Sequence, residues 1–427
     1  MNGIRLCVQI EKNGILTDVG MITGTSSADA VFTYNDDYVS DKDSRSISLS
    51  LPKEKKSFSA TQTRNFFEGL LPEGFTRQCI ADSIHADSSD YISILRELGN
   101  ECIGAVRVFD FYSDSITSGY KNLSKADVSA LANEGVRKSA DIVVKSHLSL
   151  TGASGKVGLY YSAKNDEWFQ PVGNAPSTYI VKQSHVRLDN IVANEQLCLL
   201  TAKKLGIDVP ESFIIKASEN SDKDENVLFA TRRYDRIIKD DSRECDGLKV
   251  PFRLHQEDFA QALGISPADK YEKAGGENLK KMFTLIKNQF SKPMEDSIKL
   301  WKITVFNYLA GNTDNHIKNL SVLYSEDLKS LSLAPAYDIV STKIYESSTD
   351  EMSLSINGKL KRSLITIEDF EAEAVHCGLG AKLAVKIFNQ MSAAFPSALE
   401  ESMRELKNLG FTEVQDVYDK IKAIRQR

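Results

Sequence analysis

The chain lacks every pattern that would mark a secreted, disulfide-stapled or zinc-clipped protein. Its six cysteines (Cys7, Cys79, Cys102, Cys198, Cys245 and Cys377) are scattered over 427 residues with no Cys-x-x-Cys pair. At this length a core can be buried without staples, so they read as reduced thiols in a cytosolic protein. No apolar run approaches the roughly 18–20 residues that a membrane span needs. The first residues, Met1 to Lys12, carry charge too early for a secretory signal. An excess of basic charge is missing too: 53 Lys and Arg stand against 59 Asp and Glu, a net −6. That argues against a protein held to nucleic acid or anionic lipid by its overall field. There is no internal repeat and no low-complexity tract. What is present, 41% hydrophobic and 26% charged residues, suits a globular chain, and the length suggests two or three domains. The expectation is a cytoplasmic multidomain protein with no membrane partner.

The first 110 residues read as a small α+β unit. Residues 4–10 and 15–22 alternate polar and apolar across Lys12-Asn13-Gly14, a hairpin signature. Residues 46–51 alternate again and stop at Pro52, which predicts another strand. From Thr63 the period becomes helical, and residues 104–109 return to a strand pattern. Residues 111–145 are polar and weakly patterned and are taken as a connection. A β-rich block covers 146–250, with one helix near 190–204, and residues 251–427 read almost entirely as helix apart from 320–338. A β-rich lobe followed by a helical lobe is a two-lobed α+β architecture with chemistry expected near the join.

The most informative segment is Gly311-Asn312-Thr313-Asp314-Asn315-His316-Ile317-Lys318-Asn319, which ends an apolar helix and turns abruptly polar. A hairpin pattern follows, and then Pro335-Ala336-Tyr337-Asp338, so that a second Asp lies 24 positions beyond the first. Phosphoryl transfer needs such a set. One carboxylate orients or deprotonates the attacking hydroxyl, and an amide with a second carboxylate holds the Mg²⁺ that bridges the ATP phosphates. Asp314 would be the base, with Asn319 and Asp338 as metal ligands. The competing reading is a plain turn, because Gly, Asn and Asp are turn formers; the hairpin and the second Asp favour a site. Upstream, Ser149-Leu150-Thr151-Gly152-Ala153-Ser154-Gly155-Lys156 precedes a strand. Its glycines let backbone N–H groups approach phosphate, although Val157 stands where a Walker A loop has Ser or Thr. Lys182 closes the strand pattern of residues 179–181, the position of the phosphate-touching lysine of kinases. A lysine snorkelling from a strand end is the alternative. Glu195 could pair with Lys182, and a Glu stabilised by a helix N-terminus explains it almost as well. His255 reads as a helix-start residue, not a metal ligand.

These residues occur in the order a kinase requires, and together the chain resembles the HipA-type serine/threonine kinases, toxins paired with a small DNA-binding antitoxin. The matching segments are Ser48-Leu49-Ser50-Leu51-Pro52, residues 65–72, residues 149–153 with Lys156, Asn194-Glu195, Tyr234-Asp235-Arg236, Gln256-Glu257-Asp258-Phe259, Gly311 to Asn319 and residues 335–339. The resemblance implies a protein-kinase-like fold with an N-terminal subdomain, close to where antitoxin docks, and ATP and Mg²⁺ as cofactors. It implies Asp314 as proton acceptor, and Asn319 and Asp338 on the metal. Thr151, Gly152, Ala153, Ser154, Gly155, Lys156 and Lys182 would bind the phosphates. Arg232, Arg233 and Tyr234 would form the edge that meets adenine, and His316, Ile317, Lys318 and Tyr337 would complete the nucleotide site. Ser149 falls where the family carries an autophosphorylated serine that ejects the phosphate loop. Two departures stand out: Arg232 opens the hinge where an acidic residue is commoner, and Ser154-Gly155 replaces a Gln-Glu pair in the loop. The implied partners are a helix-turn-helix antitoxin, through which alone DNA would be met, and an aminoacyl-tRNA synthetase as substrate. Two other readings remain: a small-molecule or lipid kinase, since Asp-x-His-x-x-Asn also resembles phosphoinositide kinases, and a nucleotide-binding co-repressor scaffold without catalysis.

Overall fold

The structure is a computed structural model that describes residues 3–112, 117–133, 155–184, 188–217, 223 and 226–426. Helices and sheets are mixed, in an α+β architecture. The chain forms two compact units, one of residues 1–183, 230–267 and 323–330, the other of 184–229, 268–322 and 331–427. Among the described residues, no helix is long and apolar enough to cross a membrane. All six cysteines are free thiols.

In the first unit, β1 (Ile4–Lys12) and β2 (Ile15–Gly24) form the hairpin that the alternation predicts, with Lys12 opposite Ile15. Asn13 and Gly14 both have positive φ, 50° and 75°, as a tight two-residue turn demands. Any side chain at Gly14 would also collide with the Phe252 ring, 2.2 Å from a built Cβ. With β3 (Val31–Tyr34) and β4 (Val106–Asp110) the order is β3-β2-β1-β4. Phe32 on β3 packs edge-on against Phe67, ring centres 5.3 Å apart, on the helix Ala60–Phe67. A Ser59–Gln62 capping box starts that helix.

Residues 46–51 are a turn, not the expected strand. Alternation there has another cause: Ile47 and Leu51 are fully buried, while Ser48 and Ser50 are hydrogen-bonding anchors. Ser48 Oγ donates to Glu257 Oε2 at 2.6 Å, Leu49 N–H donates to Oε1 at 3.0 Å, and Ser50 Oγ donates to the Gln261 carbonyl at 2.6 Å. Tyr324 adds a hydroxyl to Glu257 Oε1 at 2.5 Å. Burial pushes the Glu257 carboxyl up to about 7 against the pull of these donors. A carboxyl with a raised folded-state value contributes stability that is present below its unfolded value and lost as pH rises through the folded one. Wild-type protein should therefore lose up to ~3 kcal/mol between about pH 4.5 and pH 8 relative to Glu257→Gln, whose amide mimics the protonated form. Parallel pH-dependent melts of the two proteins test this; parallel curves would refute it.

The second half of this unit is a sheet whose strands β5 (Gly119–Leu123), β7 (Glu167–Val172), β6 (Lys156–Ser162) and β8 (Tyr179–Gln183) run in that order. Within residues 111–145, read as a connection, lie β5 and a helix, Lys125–Asn133. β5 is weakly patterned because Tyr120 alone among its five residues is buried.

The second unit is mainly helical, as the periodicity predicts: Ile191–Lys204, Asn278–Gln289, Pro293–Ala310, Ile367–His376, Ala381–Asn408 and Val414–Gln426; Glu351–Ile356 and Lys359–Lys361, within the range read as helix, instead form an antiparallel pair of strands. Trp301 and Phe306, on the Pro293–Ala310 helix, are fully buried, with ring centres 5.8 Å from Phe370 and 5.6 Å from Phe395 respectively. Pro293 opens that helix, and Gly311 ends it at φ 68°. The positive φ favours glycine there, and a Cβ would in addition push on the tip of the Ile424 side chain, 2.5 Å away. The helix therefore stops where the polar segment begins.

Candidate functional site

The loop after Gly311 is held by its own backbone and by buried polar neighbours. Asn312 Oδ1 accepts the Asp314 N–H at 3.1 Å, and the Thr342 hydroxyl accepts the Thr313 N–H at 2.7 Å. The Asp314 carbonyl accepts from His316 N–H at 2.8 Å and from Asn319 Nδ2 at 3.0 Å. Asn312, Thr313, Asn315, His316, Ile317, Lys318 and Asn319 are all buried, while Asp314 is exposed. A rigid buried frame thus presents one carboxylate to the outside, as a general base must be presented. Because Asn319 spends its amide N–H on Asp314, its Oδ1 is the atom left to meet a cation.

Asp338 has φ 56°, in the left-handed region that only Gly, Asn and Asp tolerate readily. Non-glycine residues held there concentrate at functional sites. Tyr337 ties this segment to the loop: its hydroxyl donates to the Lys318 carbonyl at 3.1 Å and lies 2.7 Å from Ser321 Oγ. On the other side the fully buried Asn194 grips Ser341, accepting its N–H at 2.9 Å and donating to its carbonyl at 3.1 Å. Ser341 Oγ donates in turn to the Ala310 carbonyl at 2.6 Å. Asn194 thereby links the segment after Asp338 to the helix end that launches the Asp314 loop. Asn194 carries no charge or motif of its own, and only its place in the family resemblance singles it out.

The donor set of Asn319 and Asp338 suits Mg²⁺, which is usually held by one or two protein oxygens and completed by phosphate and water. Among the described residues no cluster of three or more His, Cys, Asp or Glu is placed to cage a metal by itself. A cation shared with phosphate fits these residues; a zinc-type centre does not.

In the first unit, Lys156 on β6 and Lys182 on β8 are direct partners in the antiparallel ladder. Cβ atoms so paired stand about 5 Å apart on one face of the sheet. Lys182 is 8% exposed, so its charge acts in a poorly solvated setting. Gly155 is buried just before β6. Ser149 and Thr151 to Ser154 lie outside the described residues.

The segment Arg232–Arg236 is divided in its exposure. Arg232 is exposed and Tyr234 is partly buried, its hydroxyl donating to Gln256 Oε1. Arg233 is fully committed inward: its guanidinium meets Glu101 at 3.1 Å, Asp235 at 2.8 Å, Ser177 Oγ at 2.9 Å and the Cys102 carbonyl at 3.3 Å. Its side chain is thus spent on the protein, and its backbone N–H also donates inward, to the Thr178 carbonyl at 2.9 Å. Arg236 and Arg253 join the same cluster, 2.9 and 2.7 Å from Glu101. Burial opposes ionisation of Asp235, but Arg233 and Arg236 overcome it and hold its carboxyl well below the ordinary range. His255 is fully buried, its Nε2–H donating to the Ile47 carbonyl at 2.8 Å, and burial lowers its ring to about 4.

Family comparison decides what this arrangement belongs to. Residues 148–399 match the HipA-like C-terminal domain, more than half of the chain, and residues 15–109 match the HipA N-terminal domain. The chain belongs to the HipA family. Among its relatives is "Putative kinase Y4mE" of Sinorhizobium fredii, 28% identical over 92% of this chain and 91% of that one. The serine/threonine-protein kinase toxin HipA of Shewanella oneidensis is 24% identical over 80% of this chain and 77% of its own. Among solved structures, HipA of Shewanella oneidensis MR-1, in complex with HipB and its operator DNA, matches with a TM-score of 0.77. That match covers 97% of this HipA-family chain and 96% of the other at 20% identity, so it establishes the shared fold.

One group stands beside Asp314 that no spacing rule predicts. Tyr271 Oη donates to Asp314 Oδ1 at 2.7 Å, across 43 positions of sequence.

Proposed function

We propose that this HipA-family chain is an ATP- and Mg²⁺-dependent protein serine/threonine kinase, acting as a growth-inhibiting toxin on an aminoacyl-tRNA synthetase. The observation that carries the reading is the loop of residues 311–319, whose buried hydrogen-bonded frame presents the single exposed carboxylate of Asp314. In this reading Asp314 accepts the proton of a serine or threonine hydroxyl. Asn319 Oδ1 and the Asp338 carboxylate hold Mg²⁺, which when bound screens the charge of the phosphates. Lys156 and Lys182, adjacent on the β6–β8 ladder, draw in the same phosphates, and the segment from Arg232 to Tyr234 lies along adenine. Autophosphorylation at Ser149 places about two negative charges on a loop meant for phosphate and so switches the enzyme off. The toxin name of the Shewanella oneidensis relative, and the HipB and operator DNA in that solved complex, support a small DNA-binding antitoxin as partner. With its net charge of −6, this chain would meet DNA through that partner.

The test is incubation of purified protein with Mg²⁺ and γ-labelled ATP, alone and with a cell lysate. Wild type should label itself at Ser149 and should label a synthetase in the lysate, while Asp314→Asn should label neither. Ser149→Ala should lose self-labelling and keep the lysate signal. The reading is lost if neither wild type nor Ser149→Ala labels any protein, or if Asp314→Asn labels as well as wild type.

A further inference from the structure

The bonds that frame the Asp314 loop fix the backbone of the aspartate. Asn312 holds its N–H, and His316 and Asn319 hold its carbonyl. They leave the direction of the carboxylate to two side-chain torsions, χ1 and χ2, on a residue that is exposed. A general base needs that direction set, because it must lie within hydrogen-bond reach of the hydroxyl it deprotonates. Tyr271 constrains it, with Oη donating to Asp314 Oδ1 at 2.7 Å. A carboxylate is planar, so a hold on Oδ1 also limits where Oδ2 points.

The donor is itself anchored. The Tyr271 ring stands edge-on to the buried His316 ring, centres 5.3 Å apart, and the Lys270 ammonium lies 5.3 Å from its centre. His316 belongs to the same loop as the base. Next in sequence to the tyrosine, Glu272 is buried and donates its N–H to the Ser353 carbonyl at 3.1 Å. Its carboxylate accepts the Ser355 N–H at 2.6 Å and the Asn278 N–H at 2.7 Å. Ser353 serves the other side too, its Oγ donating to the Thr313 carbonyl at 2.6 Å. One residue of the strand Glu351–Ile356 thus braces both Glu272, beside the tyrosine, and Thr313, beside the aspartate.

We infer that Tyr271 is a positioning residue for phosphoryl transfer: its anchored hydroxyl holds the Asp314 carboxylate in the orientation that receives the acceptor proton. This rests on Asp314 being the base. In that step the acceptor oxygen bonds to the γ-phosphorus as the bond from that phosphorus to the β–γ bridging oxygen breaks. The electron pair leaves with ADP, and the acceptor proton passes to Asp314. Tyr271 keeps its own proton throughout and meets neither ATP nor the acceptor. Its contribution is geometric, and the exposure of Asp314 lets a protein hydroxyl approach.

The experiment follows self-labelling of the phosphatase-treated full chain with Mg²⁺ and γ-labelled ATP. Initial rates are taken over a range of ATP concentrations, with a thermal melt of each sample. Tyr271→Phe removes the hydroxyl and keeps the ring. Its maximal rate should fall about three- to tenfold, the scale of one hydrogen bond to a partly exposed charged group. The KM for ATP and the melting temperature should stay at their wild-type values, which a merely structural tyrosine would not ensure. In an Asp314→Asn background the same substitution should leave the residual rate unchanged, since no base remains to be oriented. The positioning role is overturned if the maximal rate of Tyr271→Phe matches wild type. It is equally overturned if the loss appears in the KM for ATP or in the melting temperature, or if the residual rate of Asp314→Asn falls by the same factor. If Asp314→Asn alone labels as fast as wild type, the base assignment fails and takes the positioning role with it. If Asp314→Asn is impaired and Tyr271→Phe is not, the positioning role alone is lost.

Discussion

Asp338→Asn is expected to cut label transfer from γ-labelled ATP by about 10²–10³-fold while leaving the melting temperature nearly unchanged. The argument separates backbone from charge. Asp338 sits at φ 56°, which asparagine adopts about as readily as aspartate, so the substitution leaves the local chain unstrained. What disappears is one negative charge at the position proposed to hold Mg²⁺, and a metal on phosphate is worth several kcal/mol of transition-state stabilisation. Because the Tyr337 hydroxyl and the Asn194–Ser341 clamp hold the segment on either side, the change stays confined to the carboxylate. Initial rates at saturating ATP, with a thermal melt of the same sample, give both numbers. A variant retaining more than a tenth of wild-type transfer would remove Asp338 from the metal.

The second large effect is on stability. Glu101→Gln is expected to cost about 3–5 kcal/mol, because it leaves three buried arginines facing one remaining carboxylate. Glu101 is fully buried and meets Arg233, Arg236 and Arg253 at 3.1, 2.9 and 2.7 Å. Burial opposes its ionisation, yet Arg236, Arg253 and Arg233 hold its carboxyl below the ordinary value. Stability from such a group is present above the unfolded value and is lost as pH falls through the lowered folded one. At neutral pH the apparent melting temperature should fall by roughly 6–20 °C, using about 2–4 °C per kcal/mol for a unit of this size. A fall of less than about 2 °C would mean that water or a shifted side chain replaces the lost partner.

The candidate loop was legible because it is local. Asp314 and Asn319 share one loop whose spacing is a property of five consecutive bonds, and the glycine that ends the preceding helix announces the loop's start. The β1–β2 turn was legible for the same reason, since Asn13-Gly14 permits little else. Non-local pairings left no trace. Arg233 reads as a ligand-facing hinge residue until Glu101 arrives from 132 positions away and claims its guanidinium. Tyr271 looks like any exposed tyrosine until the fold brings it to Asp314. The alternation of residues 46–51 misled because period two is also what a turn shows when its serines anchor to a distant glutamate. β5 escaped notice because an edge strand with a single buried side chain has almost no pattern to read.

The arginine cluster also bears on how such a chain can be divided or recombined. Glu101 belongs to the segment that matches the HipA N-terminal domain, and Arg233, Arg236 and Arg253 belong to the one that matches the C-terminal domain. Each half therefore carries unbalanced charge into its own interior and depends on the other to neutralise it. A cut anywhere between residues 110 and 148 would leave three buried guanidinium groups with Asp235 in place of the Glu101–Asp235 pair of carboxylates. Swapping one half for that of a distant relative would face the same obstacle unless both charge sets travelled together. The two segments are thus joined through buried ion pairs as well as by the peptide chain.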